Sequence, residues 1–191
     1  MDFWKVIEGR RTIRKFTAPP TSDQLDRLLA AGAKAPSAGN KQAWFVVVIT
    51  DPAVRRRLGE IKWQINVAFT SDTERGRALL QAQKDVFVDS TALMFYTFAP
   101  EPDDPHRYDL GSVWMMMENI SLAAEAMGLG SQIFTYWDEA EVEVNRLLGV
   151  PEKYRQVAGM NIGMPHPDFQ PATKVFKSKS KWIFRETWPV S

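Results

Sequence analysis

Arg10-Arg11-Thr12-Ile13-Arg14-Lys15-Phe16 gathers four cations and one hydroxyl into six residues, directly after Gly9. Like charges this close repel one another, so a solvated helix face has little use for them. They make sense around an anion, because a guanidinium presents a planar fork of donors matched to phosphate oxygens. If the run is extended, alternate side chains share a face. Arg10, Thr12 and Arg14 then point one way, and Arg11, Ile13 and Lys15 the other. The first set suits a phosphoryl group. A solvated basic loop is the other reading of the run taken alone.

Upstream, Asp2 is a candidate helix cap, with Phe3, Val6 and Ile7 on one face and Gly9 at the end. Downstream, Thr17-Ala18-Pro19-Pro20 is a turn. Thr21 and Gln24 then have capping-box spacing for a helix carrying Leu25, Leu28 and Leu29, which must stop before Pro36. Ala35-Pro36-Ser37-Ala38-Gly39-Asn40-Lys41-Gln42-Ala43-Trp44 follows, small and amide-rich, suited to a loop that lets a ligand approach the backbone. It leads into Trp44–Thr50, an apolar β-branched run predicted as a strand buried on both faces.

Asp51-Pro52 opens another helix, on which Arg55, Arg56 and Arg57 read as a solvated face. Between Gly59 and Ser71 two readings stay open. Trp63, Ile65, Val67 and Phe69 alternate as a strand would, yet their flanks look helical or loop-like. Residues 73–89 have a helical pattern, and Ala92–Phe98 is a second buried strand. The proline-rich stretch 99–108 reads as a loop near a pocket mouth. Asp109–Met127 is a long helix, apolar almost all round and therefore a core helix, with Gly128 at its C′ position. Gly128-Leu129-Gly130-Ser131 then enters a strand, Gln132–Trp137. A dinucleotide fingerprint needs the reverse order, strand before helix, so that reading fails. A helix over about 139–148 and a strand at Val157–Ile162, closed by Gly163-Met164-Pro165, complete the pattern. The stretch 166–191 is polar but carries Trp182, Ile183, Phe184 and Trp188, which need something to pack on.

Composition excludes several classes. The chain has 191 residues, enough for one domain with a sizeable core. Its 24 basic and 23 acidic residues leave no surplus for general nucleic-acid binding. There is no cysteine, hence no disulfide, thiolate metal site or cysteine nucleophile, and the two histidines, His106 and His166, are far apart. No apolar run approaches the ~20 residues of a membrane span, and Asp2 and Lys5 interrupt a signal peptide, so a cytoplasmic location is expected.

With these stretches placed in order, the chain resembles the nitroreductase family along nearly its whole length. Arg10-Arg11-Thr12-Ile13-Arg14-Lys15-Phe16 is similar to the family's Arg-Arg-Ser-x-Arg-x-Phe. Residues 35–44 are similar to Ala-Pro-Ser-x-x-Asn-x-Gln-Pro-Trp, residues 123–131 to Ala-Ala-x-x-x-Gly-Leu-Gly-Ser, and Gly163-Met164-Pro165 to Gly-x-Pro. Each motif is weak alone, and the order and separations of all four carry the resemblance.

The resemblance implies an α+β fold, a mostly antiparallel central sheet surrounded by helices. It implies an intertwined homodimer in which residues 166–191 form a C-terminal extension packing on the partner, all within one flavin-binding domain, 1–191. The implied cofactor is FMN at the dimer interface. NADH or NADPH is the hydride donor, and nitroaromatic, quinone or related small molecules are acceptors, in ping-pong transfer through flavin N5. The protein supplies binding and electrostatics, so no catalytic side chain and no metal are needed. Arg10, Arg11, Thr12 and Arg14 are implied at the phosphate and the ring's pyrimidine side. Pro36, Ser37, Asn40 and Gln42, from the other subunit, would line the flavin, with Ile133 and Thr135 near the central ring. The family's C-terminal phosphate-binding arginine has no obvious counterpart, and Lys177 or Lys179 is expected to stand in. Position 43 is alanine where the family has proline. A flavin-handling protein, a reductive dehalogenase and a substrate-specialised dehydrogenase on the same fold are the alternatives.

Overall fold

The computed structural model describes residues 2–99 and 108–187. Its first four α-helices begin where a side chain satisfies free N–H groups. Asp2 accepts from Trp4 N and Lys5 N to start α1 (Phe3–Gly9). A strand follows, β1 (Phe16–Ala18). At α2 (Ser22–Gly32), Gln24 N donates to Thr21 Oγ1 over 3.2 Å and Thr21 N donates to Gln24 Oε1 over 2.9 Å, so the capping box forms. After β2 (Phe45–Ile49), Asp51 caps α3 (Pro52–Val67), and Thr73 caps α4 (Glu74–Asp85). Then come β3 (Thr91–Phe98), α5 (Asp109–Ala126), β4 (Gly130–Phe134), α6 (Asp138–Leu147) and β5 (Tyr154–Pro165).

The sheet runs β1-β5-β3-β2, with β4 also paired to β5, and each of these strand pairs is antiparallel. β5 is the hub, opposite β3 over Tyr154–Ile162 and opposite β4 over Gly159–Gly163. β3 is buried on both faces, and its alternation divides the core. Leu93 and Phe95 pack with Leu28 of α2 and Val113, Met117 and Ile120 of α5. Ala92, Met94 and Tyr96 pack with Leu58 and Ile61 of α3, Phe134, and Val144 of α6. Fully burying a large side chain of this kind contributes about 1.5–3 kcal/mol. The result is an α+β fold, an antiparallel sheet with helices on both faces.

The structure corrects several expectations. β2 is not buried on both faces. It is an edge strand with one neighbour, β3, and Phe45 and Val48 are exposed. The ambiguous stretch after Gly59 is helix as far as Val67. The cap at Asp51 launches it, and Leu58, Ile61 and Ile65 face the core at helical spacing, while Trp63, Val67 and Phe69 are exposed. Arg55 is not part of a solvated face. It is buried, and its guanidinium donates to Val88 O over 3.0 Å and to Ser90 O. Arg57 also has partners, pairing with Glu60 and Glu143. In α1 only Val6 is buried, with Phe3 and Ile7 exposed. β4 starts at Gly130 and ends at Phe134, because Tyr136 turns away to donate its hydroxyl to Leu58 O over 2.8 Å. β5 is longer than expected, taking in Gly163-Met164-Pro165. Residues 100–107, which hold Pro100, Pro102, Pro105 and His106, and residue Trp188 lie outside the described residues.

Candidate functional site

The basic run is held against β4 by one parallel bridge, Thr12 to Ser131, in which Ile13 N donates to Ser131 O over 3.0 Å. Ile13 itself is buried beside Phe16 and Val86. Arg10, Arg11, Thr12 and Arg14 converge on a cavity of about 230 Å³, closed on its other side by Pro171, Ala172, Thr173 and Lys174. The alternation expected here is incomplete. A single bridge imposes no pleat on residues 10–15, and the regular strand starts only at Phe16. Arg11 curls back to donate to Glu8 O over 2.5 Å and to Arg10 O over 3.0 Å. It lines both this cavity and a neighbouring one with Ile13, Glu125 and Leu129. Glu118 lies 3.8 Å from Arg10 Nε. Burial pushes the Glu125 carboxyl up from its ordinary value, with Arg10 and Arg11 pulling it back down.

Arg14 also lines a second cavity, of about 310 Å³, with Ile133, Thr135, Phe87 and Phe134 and the carboxamides of Asn66, Gln83 and Gln132. A basic compartment and a partly apolar one therefore share one guanidinium. The Asn66 amide donates to Gln83 Oε1 over 2.5 Å, tying α3 to α4. Lys62 completes the lining. It donates to Thr135 O over 2.7 Å, and its Nζ stands 4.4 Å from the Trp137 ring centroid. Burial lowers its ammonium pKa to about 8.

The loop before β2 is built on its own polar groups. Gln42 N donates to Ser37 Oγ over 3.0 Å, and the Gln42 amide donates to Asn40 Oδ1 over 3.0 Å. Asn40 and Gln42 hold φ of 54° and 50°, the left-handed region that costs a residue with a side chain about 1 kcal/mol or more. Pro36, Asn40 and Gln42 are exposed and Ser37 is partly exposed. These four residues are not among those lining the cavities that hold Arg10 and Ile133. Nor are Lys177 and Lys179, which are exposed in and before a short 3₁₀ turn. The lysine that one chain brings to its own basic cavity is Lys174.

The sequence profile described as the nitroreductase family matches residues 7–164. The chain belongs to the nitroreductase family. It is 30% identical over 189 residues to a protein of Archaeoglobus fulgidus named a putative NADH dehydrogenase/NAD(P)H nitroreductase, covering 96% of this chain and 97% of that one. It is 30% identical to the NADPH-flavin oxidoreductase of Vibrio harveyi, covering 89% of this chain and 68% of the relative. Its fold matches the NfrA1 nitroreductase of B. subtilis with a TM-score of 0.79 at 19% identity, over 100% of this chain and 76% of the other. Membership makes the protein an oxidoreductase. Among the described residues no helix is long and apolar enough to cross a membrane.

Sequence reasoning missed the four further polar residues that line the second cavity, Lys62, Asn66, Gln83 and Gln132, and the two aromatic ones, Phe87 and Phe134. Lys62 and Asn66 lie four apart on α3, a spacing that puts them on one face once that segment is known to be helix. The open strand reading hid the pair. Gln83 falls within the helical pattern of residues 73–89 and Gln132 within a predicted strand, and neither position carries a signal of its own.

Proposed function

We propose that the protein is an FMN-dependent oxidoreductase that uses NADH or NADPH to reduce nitroaromatic, quinone or related small acceptors in a ping-pong cycle. The observation that carries this reading is Arg14, whose side chain lines both the basic cavity and the one walled by Ile133 and Thr135. A phosphorylated planar cofactor asks for that arrangement: charge-assisted donors for the phosphoryl group, then a flat wall with polar edges. The residues present fit FMN. Arg10, Arg11, Thr12 and Lys174 supply three cations and a hydroxyl to the first compartment. Ile133 and the carboxamides of Asn66, Gln83 and Gln132 supply the wall and its polar edge. No Gly-rich dinucleotide turn accompanies them, which favours a mononucleotide. The name of the Vibrio harveyi relative supports a flavin and a reduced nicotinamide.

When bound, FMN supplies the centre that accepts a hydride and passes reducing equivalents on. Arg10, Thr12 and Lys174 would hold the phosphate. Arg14 would orient the cofactor and offset negative charge at its polar edge. Pro36, Ser37, Asn40 and Gln42 would come from the second subunit of a homodimer. This assignment accounts for a loop held in a strained conformation yet facing neither cavity of its own chain. Val175, Phe176, Trp182 and Phe184 are exposed along residues 166–187, which supports a C-terminal extension that packs on the partner, with Lys177 or Lys179 reaching the partner's phosphate. One domain, residues 1–191, and a cytoplasmic location complete the reading.

Heating the purified protein and chromatographing the released cofactor tests it. FMN, together with anaerobic bleaching by NADH or NADPH, is the expected result. FAD, or no flavin even after incubation with FMN, refutes it.

A further inference from the structure

Lys62 is seated in a way that a structural lysine does not need. Its ammonium is anchored at one point, Thr135 O at 2.7 Å, and covered on one side by the Trp137 ring. Its remaining N–H groups have the cavity of Arg14, Gln132 and Ile133 in front of them. Among the described residues, the groups around it supply no counter-charge. Arg14 is a second cation on the same cavity. From α4 come Gln83, bonded to Asn66, and Phe87. Next to Trp137, the Tyr136 ring centroid is 5.9 Å from Nζ, its phenol donates to Leu58 O, and burial holds that phenol's pKa well above its ordinary value. On the α6 side Glu143 is paired with Arg57, as is Glu60 of α3. Burial alone, with no carboxylate contributing, pulls the Lys62 ammonium down.

A partly desolvated cation with no carboxylate beside it gains most when negative charge arrives next to it. Resting on the flavin reading above, we propose that Lys62 is a redox-linked proton carrier, taking up a proton when the bound cofactor is reduced and releasing it when the acceptor is served. The balance is simple. The reduced nicotinamide gives up a hydride, two electrons and one proton, and is oxidised, while the cofactor is reduced and gains one negative charge. Above about pH 8, where Nζ is the neutral amine, a further proton moves from solvent onto it; at lower pH Nζ already carries that proton and offsets the new charge as it stands. When the reducing equivalents pass on, a quinone or nitro oxygen takes that proton. Lys62 returns to the amine, and an O–H bond forms on the product. The Thr135 carbonyl and the Trp137 ring hold Nζ at the cavity in both states, since the amine still donates to the one and packs on the other.

The test is the flavin midpoint potential of the FMN-loaded protein between pH 6 and 10, measured spectroelectrochemically for the wild type, Lys62→Met and Lys62→Arg. One extra proton per two electrons changes the equilibrium tenfold per pH unit, so the wild-type slope should steepen by ~30 mV per pH unit above about pH 8. Lys62→Met should lose the steepening and have the lower potential at pH 7. Lys62→Arg, charged throughout, should also lose it but keep a potential at pH 9 above that of Lys62→Met. Lys62→Met with the wild-type pH slope overturns the inference, because a role in packing alone would move FMN affinity without touching that slope. A wild-type protein that takes up no flavin overturns the flavin reading, and the inference with it. Flavin-loaded variants with unchanged slopes overturn the inference alone.

Discussion

A β-carbon on Gly130 would stand 2.6 Å from Ile13 Cγ1, so the basic run can lie this close to β4 only because residue 130 is glycine. Ile13 in turn fixes where Arg14 points, since its N–H is bonded to Ser131 O and its side chain is buried. Gly130→Ala should therefore act on both stability and cofactor binding. Overpacking a close contact costs about 1–3 kcal/mol, and the strain is relieved by moving residues 12–14 away from the sheet. Denaturant titration and FMN titration of the same variant should both shift. A destabilised variant with unaltered FMN affinity would show that the basic run does not hold the cofactor.

Arg10, Arg11 and Arg14 should fail differently. Arg10→Ala removes one cation from the basic cavity and should weaken FMN binding tenfold to a hundredfold, the equivalent of ~1.5–3 kcal/mol for a charge-assisted contact. Arg11→Ala should cost less, because its guanidinium is already engaged with Glu8 O and Arg10 O. Arg14→Ala should weaken binding and also lower the midpoint potential, since Arg14 alone among the three lines the second cavity as well. Dissociation constants and potentials across the three variants decide it. An unchanged potential in Arg14→Ala refutes the two-compartment reading.

Arg55 makes the stability counterpart. It is 7% exposed and donates to two backbone carbonyls, Val88 O and Ser90 O, at the turn between α4 and β3. Arg55→Met keeps the bulk but leaves both acceptors without this donor, which should destabilise the fold by about 2–4 kcal/mol. Arg56→Met, its exposed neighbour, should change stability by less than about 0.5 kcal/mol. Thermal or urea unfolding of the pair gives the comparison, and equal effects would contradict the buried role.

Arg55 also shows where the sequence stops being legible. Local signals were strong wherever one or two adjacent side chains settle the backbone: the Thr21–Gln24 box, the Asp51-Pro52 start, and Gly128 at φ +72° after α5. The alternation of β3 was legible because both faces are buried. What depends on a distant partner was not. Three adjacent arginines look alike in sequence, and only the turn at Val88–Ser90, more than thirty residues on, distinguishes Arg55. The apolar run of β2 reads as a central strand, yet it occupies an edge of this chain's sheet. Of the candidate site, the basic run was legible from charge density, whereas Lys62 and Lys174 become visible only when α3 and the residues after Pro171 are placed against it.

Removing residues after Pro171 should have two separable consequences. It deletes Lys174 from the basic cavity, and it deletes Val175 and Phe176, which are 90% and 75% exposed on a single chain. If those apolar groups pack on a second copy, the truncated protein should lose its dimer by light scattering and its FMN together. Lys174→Ala in the full chain should weaken FMN without dissociating the dimer. A truncated protein that remains a flavin-loaded dimer would refute the assignment of this segment to the interface.

Lys62 should leave a pH signature on stability that needs no cofactor. Its pKa is about 8 in the folded protein against 10.5 for the free side chain. Below about pH 8 both the folded and unfolded chains carry the proton, and the full cost of holding a desolvated ammonium is present. Between about pH 8 and 10.5 the unfolded chain binds a proton that the folded protein has released, so stability must rise with pH through that window. The side chain is only partly buried, and solvent screening brings the expected gain to about 1 kcal/mol. Urea midpoints measured at pH 7 and pH 10 on flavin-free protein should show that gain in the wild type relative to Lys62→Met, where the desolvated charge is gone at both values. Lys62→Met should accordingly be the more stable protein at pH 7, with the difference shrinking toward pH 10. If the two proteins keep the same gap at both pH values, Lys62 titrates as an ordinary surface lysine, and its seat between Thr135 O and Trp137 has no electrostatic consequence.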